Sequence, residues 1–294
     1  MAHSPHSIDE LRILIQTGLA DALKLEMPEN LADAIRYSLL APGQKIRPRL
    51  CLTSAEMIGL SLKTALPSAV AIEMVHCFTL IHDDLPCMDD DDFRRGQPSN
   101  HKKFGEALAL LAGDGLMALA VDVFAEIGKL GLASPENFTA ALKRLLWAMG
   151  PRGVIGGQAS EFLLTEESAF ADLEKVHRLK TGALFEASLL IPKDLAGIPD
   201  DSSQGLALAI FAKELGFAFQ VADDLEDEGD GSEPSHVLFY LSPKDARETV
   251  VQRLKLARQG LEAAWGEPCE PLIKIADEVE RKVTQIPHGA QGSA

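Results

Sequence analysis

Two short acidic stretches, far apart in the chain, carry the residues best suited to chemistry. Asp83, Asp84 and Asp89 stand within HDDLPCMDDDD, and Asp223, Asp224 and Asp227 stand within FQVADDLED. Aspartates three or four apart share a helical face and repel, each like-charge pair costing about 0.2–0.5 kcal/mol. Aspartate is also a poor residue for a helix interior. A counter-charge is therefore expected. Mg²⁺ is suited to the task, because it takes hard oxygen ligands and is held by a few carboxylates together with substrate phosphates. Either cluster alone would read as a solvated or capping acidic helix end; the two together point to a phosphorylated substrate.

The elements that position these residues read as helices. His76, Thr79, Leu80 and Asp83 lie at offsets of zero, three, four and seven, on one face. Pro86 disfavours helical geometry in its predecessor, so the chain leaves the helix there and Asp89 can fold back toward Asp83. Gln220, Asp223, Asp224 and Asp227 repeat the same offsets in a second helix whose remaining residues are apolar. Apolar spacing of three and four residues continues along most of the chain. It predicts helices over 8–24, 29–40, 46–59, 65–85, 101–129, 135–149, 151–166, 171–191, 203–227, 243–264 and 270–285. No linker marks a second domain, so residues 1–294 are expected to form a single all-α helical bundle, with 288–294 as a frayed tail. Glu228–Ser235 is the most loop-like interior stretch.

Composition agrees. Hydrophobic residues make up 46% and aromatics 5%, a balance that favours Leu/Ala-rich helices over a sandwich or barrel. A formal charge of −16 argues against nucleic acid as a partner, since such binding needs a basic field. Cys51, Cys77, Cys87 and Cys269 show no metal-binding or disulfide spacing, which fits a reducing compartment. No leader is evident and no apolar run approaches a membrane span, so a cytoplasmic protein with no integral membrane segment is expected.

These motifs resemble the trans-isoprenyl diphosphate synthase family. Ile81–Gly96 is similar to its first aspartate-rich motif in the longer form and Phe219–Asp227 to its second. Further matches are GxxIRP at Gly43–Pro48, NHKKFGEALALLAGD at Asn100–Asp114, GGQ at Gly156–Gln158 and HRLKTGALF at His177–Phe185, with a weaker one around ADEVERK at Ala276–Lys282. The resemblance implies an isoprenoid-synthase bundle with a central cavity, packed as a homodimer. It implies a Mg²⁺-dependent prenyltransferase that condenses isopentenyl diphosphate with an allylic diphosphate, dimethylallyl or geranyl.

By the same resemblance Asp83, Asp84, Asp89, Asp223, Asp224 and Asp227 would hold three Mg²⁺ ions. Arg94, Lys180 and Gln220 would serve the allylic diphosphate, and Thr181 with the Lys180 backbone would face the developing cation. Arg47, His76 and Arg95 would hold isopentenyl diphosphate. From charge alone, Arg94 and Arg95 could simply be ion-paired with Asp89–Asp92, their immediate neighbours. Phe78, five residues before Asp83, would act as a floor that stops growth at farnesyl diphosphate; plain core packing is its other reading.

Three positions depart from the family pattern. Gln44 stands where the family has a lysine, leaving Lys45, displaced by one, to reach the diphosphate. Glu161 replaces the aspartate of GGQxxD. After the second motif the family's two lid lysines are missing, and no lysine precedes Lys244. A non-catalytic relative that binds isoprenoid diphosphates or a partner is the alternative these departures raise.

Overall fold

The computed structural model describes residues 6–226 and 233–285. Asp227, most of the loop-like stretch and the expected tail lie outside the described residues. The chain divides into two compact units, Met1–Leu145 with Ile191–Gly197, and Leu146–Leu190 with Ile198–Ala294.

The first unit is built around α4. It comprises α1 (Ile8–Ala22), α2 (Glu29–Leu39), α3 (Ile46–Ile58), α4 (Leu62–Asp83), a hairpin of β1 (Phe93–Arg94) and β2 (Gln97–Pro98), α5 (Asn100–Phe104), α6 (Glu106–Lys129) and most of α7 (Pro135–Met149). Ser7 and Glu10 form a capping box that starts α1. Ser61 caps α4 by accepting from the Thr64 amide. α4 is apolar on nearly every side, which suits a helix wrapped by others. It packs on α3 and α6, burying Val70, Ile72, Met74, Phe78 and Ile81.

The second unit holds α8 (Val154–Glu161), α9 (Phe170–His177), a π turn (Arg178–Gly182), the greater part of α10 (Ala183–Leu195), α11 (Ser203–Glu226), α12 (Val237–Tyr240), α13 (Pro243–Trp265) and α14 (Glu270–Gln285). Here α11 is central, packed on α13 and α14 through Phe211, Leu215, Val221, Val250, Leu254, Leu272 and Val283.

The chain is all-α, as its periodicity predicts, apart from the two-residue strands. Three boundaries differ for local reasons. The helix expected over 101–129 breaks at Gly105, whose φ of +86° is outside helical space. The one expected over 171–191 is interrupted by the π turn, and the one over 151–166 shrinks to α8. The hairpin was not anticipated; Arg95 and Gly96, with φ of +54° and +76°, give it the two left-handed central residues of a type I′ turn.

The expectation about apolar runs is corrected. α4, α6 and α11 are each long and apolar enough to cross a membrane by length and composition alone. Most of the apolar window is buried in the protein for α4 and α11, but only 33% for α6.

Candidate functional site

In the first unit α4 delivers Asp83 and Asp84 at its end. The loop then folds back as expected: the Asp89 amide donates to the Asp83 carbonyl at 2.9 Å, and Asp90 turns with φ of +52°. Asp84 is buried and receives the Arg94 guanidinium, with Nε at 2.8 Å and Nη2 also bonded. The same Nη2 reaches Asp91 at 2.6 Å. Burial pushes the Asp84 carboxyl above its usual range, only partly countered by Arg94. Burial works against the Arg94 charge as well, but Asp84 and Asp91 more than offset it and hold the guanidinium above its ordinary value. Arg94 carries its full charge, because a guanidinium keeps its proton in proteins. Lys102 bridges to Asp92 at 2.6 Å, His101 is buried beside Ser99, and Lys103 lies over the Tyr37 ring.

Three elements bring Arg47, His76 and Arg95 together. Arg47 opens α3 and sets Nη1 3.3 Å from His76 Nε2 on α4. Arg95, at the hairpin tip, lies against Gly43, where an added Cβ would come within 3.0 Å of its guanidinium. Burial lowers the His76 pKa well below its usual value, and Arg47, Arg95, Lys45 and Arg94 lower it further. His76 is therefore neutral, with Nε2 accepting from Arg47 and the proton on Nδ1.

A group whose folded pKa is depressed costs stability as pH falls below the unfolded value, because only the unfolded chain then takes up the proton. His177 is shifted the same way by its burial. The melting temperature should therefore fall between pH 7 and pH 5, with each histidine contributing up to about 1.4 kcal/mol per pH unit below about 6.5. Thermal melts of His76→Gln should show a flatter profile; an unchanged one would contradict the assignment of a neutral His76.

Lys45 lies beside this group but its charge is spent inward. With φ of +48° it turns its side chain into the unit, where Nζ meets Glu73 Oε1 at 2.9 Å and the Leu39 carbonyl at 3.0 Å. Glu73 is a partner that the sequence reading did not single out. Its place one turn before His76 on α4 was visible, but its tie to a loop residue was not. Phe78 is buried and meets His82 edge-on at 5.8 Å between ring centres. His82 in turn fills a notch left by Gly113 on α6 and sits 3.1 Å from the Leu110 carbonyl.

The second unit arranges its acidic motif around the π turn. Gly157 on α8 and Gly216 on α11 make room for it: an added Cβ would fall 2.3 Å from the Lys180 amide nitrogen and 3.1 Å from Gly182 Cα. The backbone of the π turn is thus what requires glycine at Gly157. Lys180 leaves the turn toward α8 and pairs with Glu161 at 2.5 Å, which also accepts from Gln158. Thr181 leaves toward α11 and donates to Gln220 Oε1 at 2.6 Å. Gln220 Nε2 donates to Asp224 Oδ1 at 2.8 Å, and Asp224 Oδ2 accepts from the Val237 amide at 2.9 Å. His177 Nε2 lies 3.1 Å from the Ser235 carbonyl, so the chain after the second motif is fastened at two points. Asp223 remains half-exposed, 3.2 Å from Lys282 of α14.

Among the described residues no group of three His, Cys, Asp or Glu side chains converges to hold a metal ion. Asp84 and Asp224 are taken up by protein partners. The donor set nevertheless fits Mg²⁺, which dehydrates reluctantly and is commonly held by one or two carboxylates plus substrate phosphates, without an all-protein cage.

Acidic helix ends mounted on all-α units define a protein of the isoprenoid-synthase class. The family described as Polyprenyl synthetase matches residues 28–233. An Arabidopsis thaliana heterodimeric geranylgeranyl pyrophosphate synthase large subunit 1, chloroplastic, is 42% identical over 73% of the chain. The match spans only 58% of that protein's length. A geranyltransferase from Legionella pneumophila superposes with a TM-score of 0.86 at 30% identity, covering 94% of this chain and 96% of that one. An FPP/GFPP synthase from Zymomonas mobilis gives 0.83 at 30% identity, covering 93% and 97%. This chain belongs to the polyprenyl synthetase family of trans-isoprenyl diphosphate synthases.

Proposed function

We propose that this chain is a Mg²⁺-dependent trans-prenyltransferase joining isopentenyl diphosphate to an allylic diphosphate. The observation that carries this reading is the gathering of Arg47, neutral His76, Arg95 and Arg94 beside the acidic end of α4. Two adjacent cationic groups suit two diphosphates: Arg94 for the allylic one, and Arg47 and Arg95 for isopentenyl diphosphate, with His76 orienting Arg47. Both acidic motifs then serve one reaction, and we read residues 1–294 as one catalytic domain. When bound, Mg²⁺ supplies the positive charge that makes the allylic diphosphate a leaving group.

In this scheme Asp83, Asp89 and Asp223 provide the metal-facing carboxylates. Asp84 orients Arg94, and Asp224 orients Gln220; Asp227 keeps the role its spacing suggests. Thr181 and Gln220, joined by their hydrogen bond, line the allylic side with Lys180, whose ammonium is directed by Glu161. The allylic carbon–oxygen bond breaks, the isopentenyl double bond attacks, and the released pyrophosphate takes up the proton. An apolar wall such as α4 excludes water from the cation. The inward pairing of Lys45 leaves Arg47 and Arg95 as the main holders of isopentenyl diphosphate.

We assign farnesyl diphosphate as the product because buried Phe78 lies on the same α4 as Asp83. The relatives' names range over geranylgeranyl and FPP/GFPP synthases, so length is the property to measure. Purified protein with Mg²⁺, isopentenyl diphosphate and geranyl diphosphate should yield a C15 product, and Phe78→Ala should lengthen it. Unchanged length in the variant rejects Phe78 as the floor. Binding of the diphosphates without turnover would instead favour a non-catalytic relative.

Exposed Leu110 and Leu111, on the sparsely buried α6, support a homodimer in which a second copy covers that face. The four free cysteines support a reducing compartment such as the cytoplasm.

A further inference from the structure

No lysine or arginine occurs between Lys213 and Lys244, so the stretch around and after the second acidic motif brings no cation of its own. Lys244, at the head of α13, is 77% exposed and pairs with Glu248 on its own helix at 3.8 Å. A cation reaches the motif from elsewhere in the unit. Lys282, near the end of α14, places Nζ 3.2 Å from Asp223 Oδ1 and 2.8 Å from Glu226 Oε2. It also lies 5.6 Å from the Phe219 ring centre.

The helix fixes this placement. α14 buries Leu272, Ile275, Val279 and Val283, and the side chain of Lys282 emerges at the border of that face. Its stem is largely covered while its ammonium sits among carboxylates, the usual disposition of a lysine at an apolar margin. Lys274, earlier on the same helix, points away and pairs with Glu270.

We propose that Lys282 is a diphosphate-binding residue, supplying from the C-terminal helix the cation that the segment after the second motif lacks. The proposal rests on the reading of the site given above. Without ligand, Lys282 neutralises Asp223 and Glu226, which would otherwise repel. Its ammonium carries three donors, so it can keep Glu226 and turn an N–H from Asp223 to a phosphate oxygen. The ligand class is the diphosphate of an allylic prenyl diphosphate, or inorganic pyrophosphate.

Calorimetric titration of the intact protein with inorganic pyrophosphate in Mg²⁺ buffer tests this. Lys282→Met, which keeps the apolar stem, should weaken binding at least about tenfold, the loss expected of one charge-assisted contact. Lys282→Arg should restore most of it, and Lys274→Met should bind like the unaltered chain. In turnover assays KM for the allylic substrate should rise in Lys282→Met while KM for isopentenyl diphosphate stays fixed. Equal pyrophosphate affinity in Lys282→Met, or a parallel change in both KM values, overturns the proposal. Failure of the unaltered chain to bind pyrophosphate with Mg²⁺ overturns the function reading along with it.

Discussion

Asp83→Asn and Asp223→Asn should each lower turnover at least about a hundredfold while moving the melting temperature by no more than about two degrees. The kinetic loss follows from removing a carboxylate from a site where metal charge is worth several kcal/mol to the departing diphosphate; about 3 kcal/mol corresponds to a factor above one hundred. The small thermal effect follows from exposure. Asp223 is 43% exposed and its pairing with Lys282 is partly solvated, the kind of ion pair worth about 0–1 kcal/mol. Raising Mg²⁺ should recover part of the activity. Steady-state kinetics beside thermal melting separates the two effects. Full activity in Asp223→Asn would remove that residue from the proposed metal-facing set.

Its neighbour should behave in the opposite way. Asp224→Ala should cost about 3–4 kcal/mol of stability, because two hydrogen bonds to a buried carboxylate are lost and each is worth about 1.5–3 kcal/mol. The Val237 amide and the Gln220 side chain would be left without their acceptor. For a chain of this size that is a fall of about 10 °C in melting temperature. Asp224→Asn should lose about half as much, since an amide oxygen can still accept one bond. Activity should decline as well, through misplacement of Gln220 and Thr181. Normal melting of Asp224→Ala would show that the Thr181–Gln220–Asp224–Val237 chain contributes nothing to the fold. In the proposed scheme two adjacent aspartates, alike in sequence, divide into a residue for ligand and a residue for structure.

That division was not legible in the sequence. The helical fold was, because apolar residues at three- and four-residue spacing report burial directly. The return of Asp89 toward Asp83 was legible too, through the geometry that Pro86 imposes. What stayed hidden depends on contacts between distant residues. Nothing near Lys45 announces Glu73, and nothing near Asp224 announces the Val237 amide. The π turn had only an indirect sign in Gly157, whose need for space could be guessed while its object could not. Lys282 stood within a recognisable stretch, yet only the packing of α14 on α11 reveals that it reaches Asp223. Gly105 is the opposite case: a break that was readable in principle and was overridden by the strength of the surrounding periodicity.

The π turn has a consequence for how such a chain can change over time. A π turn amounts to one residue inserted into a helix, and each helical residue advances the following ones by about 100°. Deleting any single residue from Arg178–Gly182 would regularise the helix and keep the residues beyond it in register, but it would abolish the widened turn itself. Lys180 and Thr181 now serve different neighbours, Glu161 and Gln220, and would lose that division at once. At this point the chain tolerates exchange of side chains more readily than a change of length, and the glycines on either side are the record of that constraint.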